Sequence, residues 1–459
     1  MKKKVAVISL GCPKNWVDTE NIVGLLKSTG DVVFVGDLKE ADIIIINTCG
    51  FIQPAKEESI DEILTAIEEK KEDPEKRVIV AGCLYQRYKE ELKKELPEVD
   101  AFLGIDEIER SVEKILNRKF AAAKPYLLRE VLTPKHLAYL KISEGCSNAC
   151  AYCAIPLIRG PLRSRPIEEL VEEAKILADK GVKELYVIAQ DTTAYLHDRN
   201  EREGFVKLLK KLEKVEGIRW IRLMYTYPSH ITDSLIDLIA DSEKIVKYID
   251  VPLQHINDKV LASMGRKYTR RYAEELIEKL RKRIPGIAIR TTFIVGFPTE
   301  GEKEFEELHS FIKDVEFDWA GFFKYSREEG TAAYRLGDLP EELKESRLNL
   351  LEETQFWIYE KKHRELVGKG FELIVDGKSE EMPGFVEARS YRNAYEIDGI
   401  IYLKGHFRPG EIVKAVVTDL ASNVDLIAEP IGDRDKASER RGKRGTPEDR
   451  GRVNGERAV

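Results

Sequence analysis

The stretch LAYLKISEGCSNACAYCAIPLIRG (residues 137–160) sets an apolar strand directly before three closely spaced cysteines, Cys146, Cys150 and Cys153. The strand opens a series. LAYLKIS, KELYVIAQ, RWIRLMYT, YIDVPLQ, IAIRTTFIVG and WAGFFKYS alternate with helical patterns such as PIEELVEEAKILADKG and TRRYAEELIEKLRKRI. Six βα repeats are too many for a small open sheet and too few for the eight of a closed barrel. An open, partial (β/α)6 barrel over residues 136–365 is expected, with its chemistry at the carboxyl ends of the strands. The Cys-x3-Cys-x2-Cys loop follows the first of those ends. Its spacing differs from zinc sites, which pair a Cys-x2-Cys with a distant second pair. It also differs from ferredoxin runs of four cysteines. A 4Fe–4S cubane on three thiolates keeps one iron without a protein ligand, free to take a substrate or cofactor.

Upstream, residues 1–118 alternate KKVAVISL, ADIIIINT, KRVIVAG and DAFLG with helical segments. Fully apolar strands in βα alternation imply an open parallel α/β sheet covered on both faces. Cys12, Cys49 and Cys83 stand just past the ends of the first three strands, 37 and 34 residues apart. Ligands of such sheets bind outside those ends, so three distant thiols are brought together. No cysteine follows Cys153 in the 459-residue chain, and the clustering argues against six scattered structural thiols. A linker is expected at 119–135.

Downstream of a helix at about 340–364, residues 366–430 break into short β-rich pieces between Gly and Pro turns, the pattern of a small antiparallel β-barrel. Residues 431–459 are Arg-, Gly- and Glu-rich and are expected to form a disordered charged tail. The net charge of −7 argues against a surface that is one nucleic-acid footprint. No apolar run reaches the ~18 residues of a membrane span. The β-branched start MKKKVAVISLGC lacks a cleavage site and reads as a first strand, so a cytoplasmic protein is expected.

The three-cysteine loop, with Tyr152 before its last cysteine, resembles the radical S-adenosylmethionine superfamily. With the second thiol triad and the C-terminal barrel, which is TRAM-like, residues 3–430 resemble the methylthiotransferase family. SLGCPKN, INTCGFIQPAKEESI, AGCLYQRY, AQDTTAY, MYTYPSHITD, YIDVPLQH, RTTFIVGFP and YSREEGTAA look like its RimO branch. Trp16, where the branch usually has a smaller aliphatic, and PTEGEKEF (298–305) depart from its pattern. The resemblance implies two 4Fe–4S clusters, on Cys146, Cys150 and Cys153 and on Cys12, Cys49 and Cys83. It implies two S-adenosylmethionine molecules, one the methyl donor and one the source of a 5′-deoxyadenosyl radical. The implied reaction converts a C–H on the β-carbon of an aspartate in small-subunit ribosomal protein S-twelve into C–S–CH3. An external electron donor and a sulfur donor are implied as further partners. The alternative branch acts on isopentenyl-adenosine in transfer RNA. Residues 366–430 hold seven Lys or Arg against eleven Asp or Glu, which suits a basic ribosomal protein better than phosphates.

Other residues are candidates for cofactor contacts. Arg163, with Arg159 and Arg165 beside it, offers a fork for a cofactor or substrate carboxylate, the alternative being a set of surface or interdomain salt bridges. Gln190 and Asp191 end the second barrel strand, and Ile294 and Gly296 end the fifth, where the resemblance implies packing of adenine. His255 is expected to make a structural hydrogen bond. Asn15 and Asp18 are expected behind Cys12 as supporting groups or helix caps, with capping preferred for Asp18.

Overall fold

Alternate residues of the first strands face opposite ways, and the computed structural model, which describes residues 2–120 and 124–432, shows what each set meets. Strands β1 (Lys3–Ser9), β2 (Val32–Phe34), β3 (Ile43–Thr48), β4 (Arg77–Gly82) and β5 (Ala101–Leu103) form a parallel sheet in the order β2-β1-β3-β4-β5. Ile43 and Ile45 pack with Ile22 and Leu25 of helix α1 (Pro13–Ser28). Ile44 and Ile46 pack with Ile63 and Ile67 of helix α2 (Gln53–Glu72) on the other face. Of this sheet only the edge strand β2 escaped the sequence reading, because it is apolar over just three residues, too short for a periodicity to show. The expected tail beyond residue 432 lies outside the described residues.

The central unit starts with β6 (Leu137–Lys141), after which the pair β7 (Ser143–Glu144) and β8 (Arg163–Ser164) brackets the cysteine loop. Then come β9 (Glu184–Ile188), β10 (Trp220–Leu223), β11 (Ile245–Asp250), β12 (Ala288–Val295) and β13 (Trp319–Lys324). The sheet runs β13-β12-β11-β10-β9-β6, six parallel strands with both edges open, as an incomplete barrel requires. Leu185, Val187, Ile221, Leu223 and Ile249 face a ring of helices. The opposite face carries Tyr139, Tyr186, Tyr248 and Trp319, together with the paired Arg222 and Glu184.

That second face is closed from both ends of the chain. Val17 and Trp16 of α1 pack on it from the N-terminal unit. From the other side comes the segment between two strands of the C-terminal barrel. The barrel consists of β14 (Gly370–Lys378), β15 (Phe385–Arg389), β16 (Ile401–Lys404), β17 (Ile412–Leu420) and β18 (Leu426–Pro430), closed in the order β14-β15-β16-β18-β17. It is not purely antiparallel. β17 pairs with β14 to close the ring, so its hairpin partner β18 fills the gap beside β16 and runs parallel to it. The expected linker is more than a spacer. Arg129 is buried in it, donating to Glu20 of α1 and to Glu173 of the central unit.

The β15–β16 segment inserts Asp398, which accepts from Tyr248 Oη and from the Ala394 amide at 2.8 Å each. Burial pushes its carboxyl up to about 6, against the pull of Arg290. Between about pH 4 and 6 the folded chain therefore holds a proton that the unfolded chain has lost, so this group's contribution to stability declines as pH rises through that window. Asp398→Asn keeps the acceptor and removes the titration. Compared with the unaltered chain, the variant is expected to gain about 2 kcal/mol between pH 4 and 6 in guanidinium unfolding. Parallel curves for the two proteins would refute this.

Candidate functional site

The first thiol triad is built by three adjacent strand ends. Cys49 follows β3 directly, Cys83 follows β4 directly, and Cys12 precedes the first turn of α1. Gly11 makes the approach possible. Its φ is +83°, and a Cβ there would lie 2.8 Å from Cys49 Cβ and 3.0 Å from Cys49 Sγ. Asn15 ties the loops together, donating to the carbonyls of Leu10 (2.8 Å), Asn47 (3.3 Å) and Thr48 (3.2 Å). Burial pushes the Cys83 thiol up to about 12 and raises Cys49. At Cys12 burial also pushes up, but Lys14, Arg159 and backbone amides outweigh it and leave the thiol below its ordinary value.

Asp18 is not a cap. Helix α1 begins at Pro13, so Asp18 lies in its second turn, buried, where it binds Lys141 of β6 and Arg159. Arg159 closes the short helix Ile155–Arg159 that follows the second cysteine loop. It is 2% exposed. Its Nη2 donates to Asp18 (3.1 Å), Asn15 Oδ1 (3.3 Å) and Cys83 Sγ (3.2 Å), and its Nη1 to Glu144 (2.8 Å). Burial alone would raise the Glu144 carboxyl; Lys141 and Arg159 instead hold it well below the usual carboxylate range. One guanidinium thus ties Cys83 of the first triad to Glu144, at the start of the loop that carries the second.

The second triad sits on the loop after β7. Ala151 donates to the Met264 carbonyl (2.8 Å) and accepts from the Ala333 amide (2.8 Å), which clamps the loop between two other segments. Arg266 Nη1 lies 3.6 Å from Cys150 Sγ and 3.5 Å from Tyr152 Oη, and its guanidinium stacks 4.2 Å from the Tyr227 ring. Burial raises Cys146 to about 11 and Cys153 to about 12. Thiols so held give up their protons when a cation takes them as ligands. Among the described residues no three His, Cys, Asp or Glu side chains gather to hold one metal ion. All-thiolate donors standing apart in threes, each triad with an arginine donating to a sulfur, fit a multinuclear iron–sulfur cluster.

The chain matches the Radical SAM superfamily over residues 140–312, the TRAM domain over 367–431 and the Uncharacterized protein family UPF0004 over 4–104. A ribosomal protein uS12 methylthiotransferase RimO of Aquifex aeolicus is 50% identical, covering 91% of this chain and 95% of its own. One of a Sulfurihydrogenibium species is 46% identical over 93% and 99%. The chain belongs to the RimO family of ribosomal protein uS12 methylthiotransferases. The fold is also shared with the radical S-adenosylmethionine methyltransferase TsrM of Kitasatospora setae (TM-score 0.51, 15% identity, 72% of this chain and 77% of that one). The cobalamin-dependent radical enzyme OxsB gives 0.52 at 13% identity, over 78% and 58%.

In this RimO-family chain the other sequence candidates divide. The Gln190 amide nitrogen and oxygen are buried without hydrogen-bond partners among the described residues, which leaves them free to meet a ligand. Asp191 is already spent. It accepts from Asn148 (2.7 Å) and Thr193 (2.6 Å) and lies 2.8 Å from His230 Nδ1. It therefore fixes the cysteine loop from behind, beside a cavity of about 180 Å³ lined also by Cys146, His197 and Lys267. Ile294 packs in one cluster with Tyr152 and Phe297. Gly296 has φ +73°, and a Cβ there would strike Lys344 at 2.2 Å. Arg163 stands half exposed and pairs with Asp106 of the N-terminal unit, so its charge goes to the interdomain surface; of the two arginines it is Arg159 that enters the buried site. His255 lies 3.1 Å from Glu300 and accepts from the Asn257 amide. Sequence reasoning missed Lys14, Glu144 and Arg266, none of which has a spacing that marks it.

Proposed function

We propose that this chain transfers a methylthio group to the β-carbon of an aspartate in ribosomal protein uS12, using two 4Fe–4S clusters and two molecules of S-adenosylmethionine. The observation that carries this reading is the pair of three-thiol sites, with Arg159 tying Cys83 of one to Glu144 at the start of the loop that carries the other. When bound, the cluster on Cys146, Cys150 and Cys153 would supply the electron that cleaves S-adenosylmethionine for hydrogen abstraction. Gln190 would bind the polar part of that cofactor through its unpaired amide, and the backbone at Ile294 and Gly296 would meet its adenine. Arg266 holds the Cys150 side of the loop. Cys12, Cys49 and Cys83 hold the site from which sulfur is delivered, and Arg159 keeps that site in register with the first. Conversion of C–H to C–S–CH3 also consumes electrons and sulfur from external donors, and a ribosomal substrate sets the reaction in the cytoplasm.

Mass spectrometry of uS12 and of transfer RNA from cells lacking this protein tests the reading. The methylthio adduct is expected to vanish from the ribosomal protein. Its persistence there, with loss from isopentenyl-adenosine instead, overturns the proposal. At the cofactor site, Gln190→Leu is expected to weaken S-adenosylmethionine binding about tenfold in titration calorimetry, the value of one hydrogen bond made in a buried site. Iron content should not change.

A further inference from the structure

Lys14 breaks three local rules at once. It stands in the first turn of α1, where the helix dipole disfavours a cation. It is 7% exposed, although lysine is almost never buried without a partner. Among the described residues it has no carboxylate within ion-pair distance. The neighbouring acids are engaged elsewhere: Asp18 and Glu144 with Lys141 and Arg159, and Asp250 with Arg290 and the Tyr225 amide. Its ammonium lies instead 3.4 Å from the centre of the Tyr225 ring. Tyr225 is itself held at a φ of 58°, with its amide donating to Asp250 and its carbonyl accepting from the Thr192 amide. Residues that break local rules and are held in place by their surroundings mark functional positions.

The position is informative. Lys14 is two residues from Cys12, a thiol of the first triad, while Tyr225 lies just past the end of β10, on the strand-end side of the barrel that also carries Gln190. The Lys14–Tyr225 contact therefore joins the helix that starts beside the first triad to the strand-end side of the barrel, the side on which the loop of the second triad also follows its strand. We propose that Lys14 is a specificity residue that binds the carboxylate of the substrate side chain and holds its β-carbon between the two sites. Its ammonium supplies the counter-charge that a buried carboxylate requires, and Tyr225 positions the ammonium. This deepens the functional reading above and rests on it.

The test uses the reconstituted holoenzyme with S-adenosylmethionine and two synthetic peptides of the uS12 target loop, one with the target aspartate and one with asparagine in its place. The unaltered chain is expected to bind the aspartate peptide at least about tenfold more tightly, because a site built around a charge rejects the analogue that lacks it. Lys14→Met should lose that preference and raise KM for the aspartate peptide, Lys14→Arg should restore part of it, and iron content and the electron paramagnetic resonance of both clusters should be unchanged. A Lys14→Met variant that retains the preference overturns the proposal. So does one that loses the signal of the cluster at Cys12, since the lysine would then serve the metal site. Equal binding of both peptides by the unaltered chain removes the role of Lys14 alone. Binding of neither removes the substrate reading and Lys14's role with it.

Discussion

Replacing Cys146, Cys150 and Cys153 together by alanine will abolish 5′-deoxyadenosine formation and halve the bound iron. The unaltered chain is expected to hold about eight irons, about four for each three-thiolate site. The complementary variant, with Cys12, Cys49 and Cys83 replaced, should also lose half the iron but still cleave S-adenosylmethionine when given dithionite. It should make no methylthio product. The asymmetry follows from position: one triad lies at a strand end of the partial barrel beside Gln190, and the other on a separate sheet. Equal loss of 5′-deoxyadenosine from both variants would refute the division of labour. Tightly bound zinc without iron would refute the cluster assignment.

The second large effect is expected at Arg159. Arg159→Met leaves the buried Asp18 and the partly buried Glu144 with Lys141 as their one remaining cation among the described residues, and removes the donor to Cys83. Breaking a buried ion pair from one side typically costs about 3–5 kcal/mol. A loss of that order is expected in guanidinium unfolding, since the contact also joins the N-terminal and central units. The lost hydrogen bond to a thiolate should lower the midpoint potential of the cluster at Cys83 while that of the other cluster stays in place. Arg159→Lys should recover part of the stability but not the potential, because one ammonium cannot reproduce a fork that reaches two carboxylates and a sulfur. A loss below about 1 kcal/mol would show that Arg159 is peripheral.

Much of the site was legible because its chemistry is local. Thiolate clusters need cysteine, and the chain spends all six within its first 153 residues, at strand ends or on one loop. Continuous apolar runs such as IIIINT announce strands buried on both faces, and parallel strands bring their ends together. The acidity of the C-terminal barrel was legible only as a total. Asp376 and Asp398 contribute to it yet lie in the contact with the central unit, paired with Arg389 and Arg290.

The sequence alone therefore determined the element types, the three-unit order and the placing of three cysteines at strand ends and three on one loop, all of which depend on residue identity and short-range periodicity. It did not determine which like residue does what. Arg159, Arg163 and Arg165 fall within seven positions, and only the phase of a five-residue helix turns Arg159 inward to Cys83 while Arg163 is left half exposed. The start of α1 at Pro13 carries Asp18 away from the helix end and into an ion network, and places Lys14 beneath Tyr225, 211 residues away in the chain. Burial and pairing are properties of what the rest of the fold brings alongside a residue. That is why only the tertiary structure could separate a spent charge from an available one.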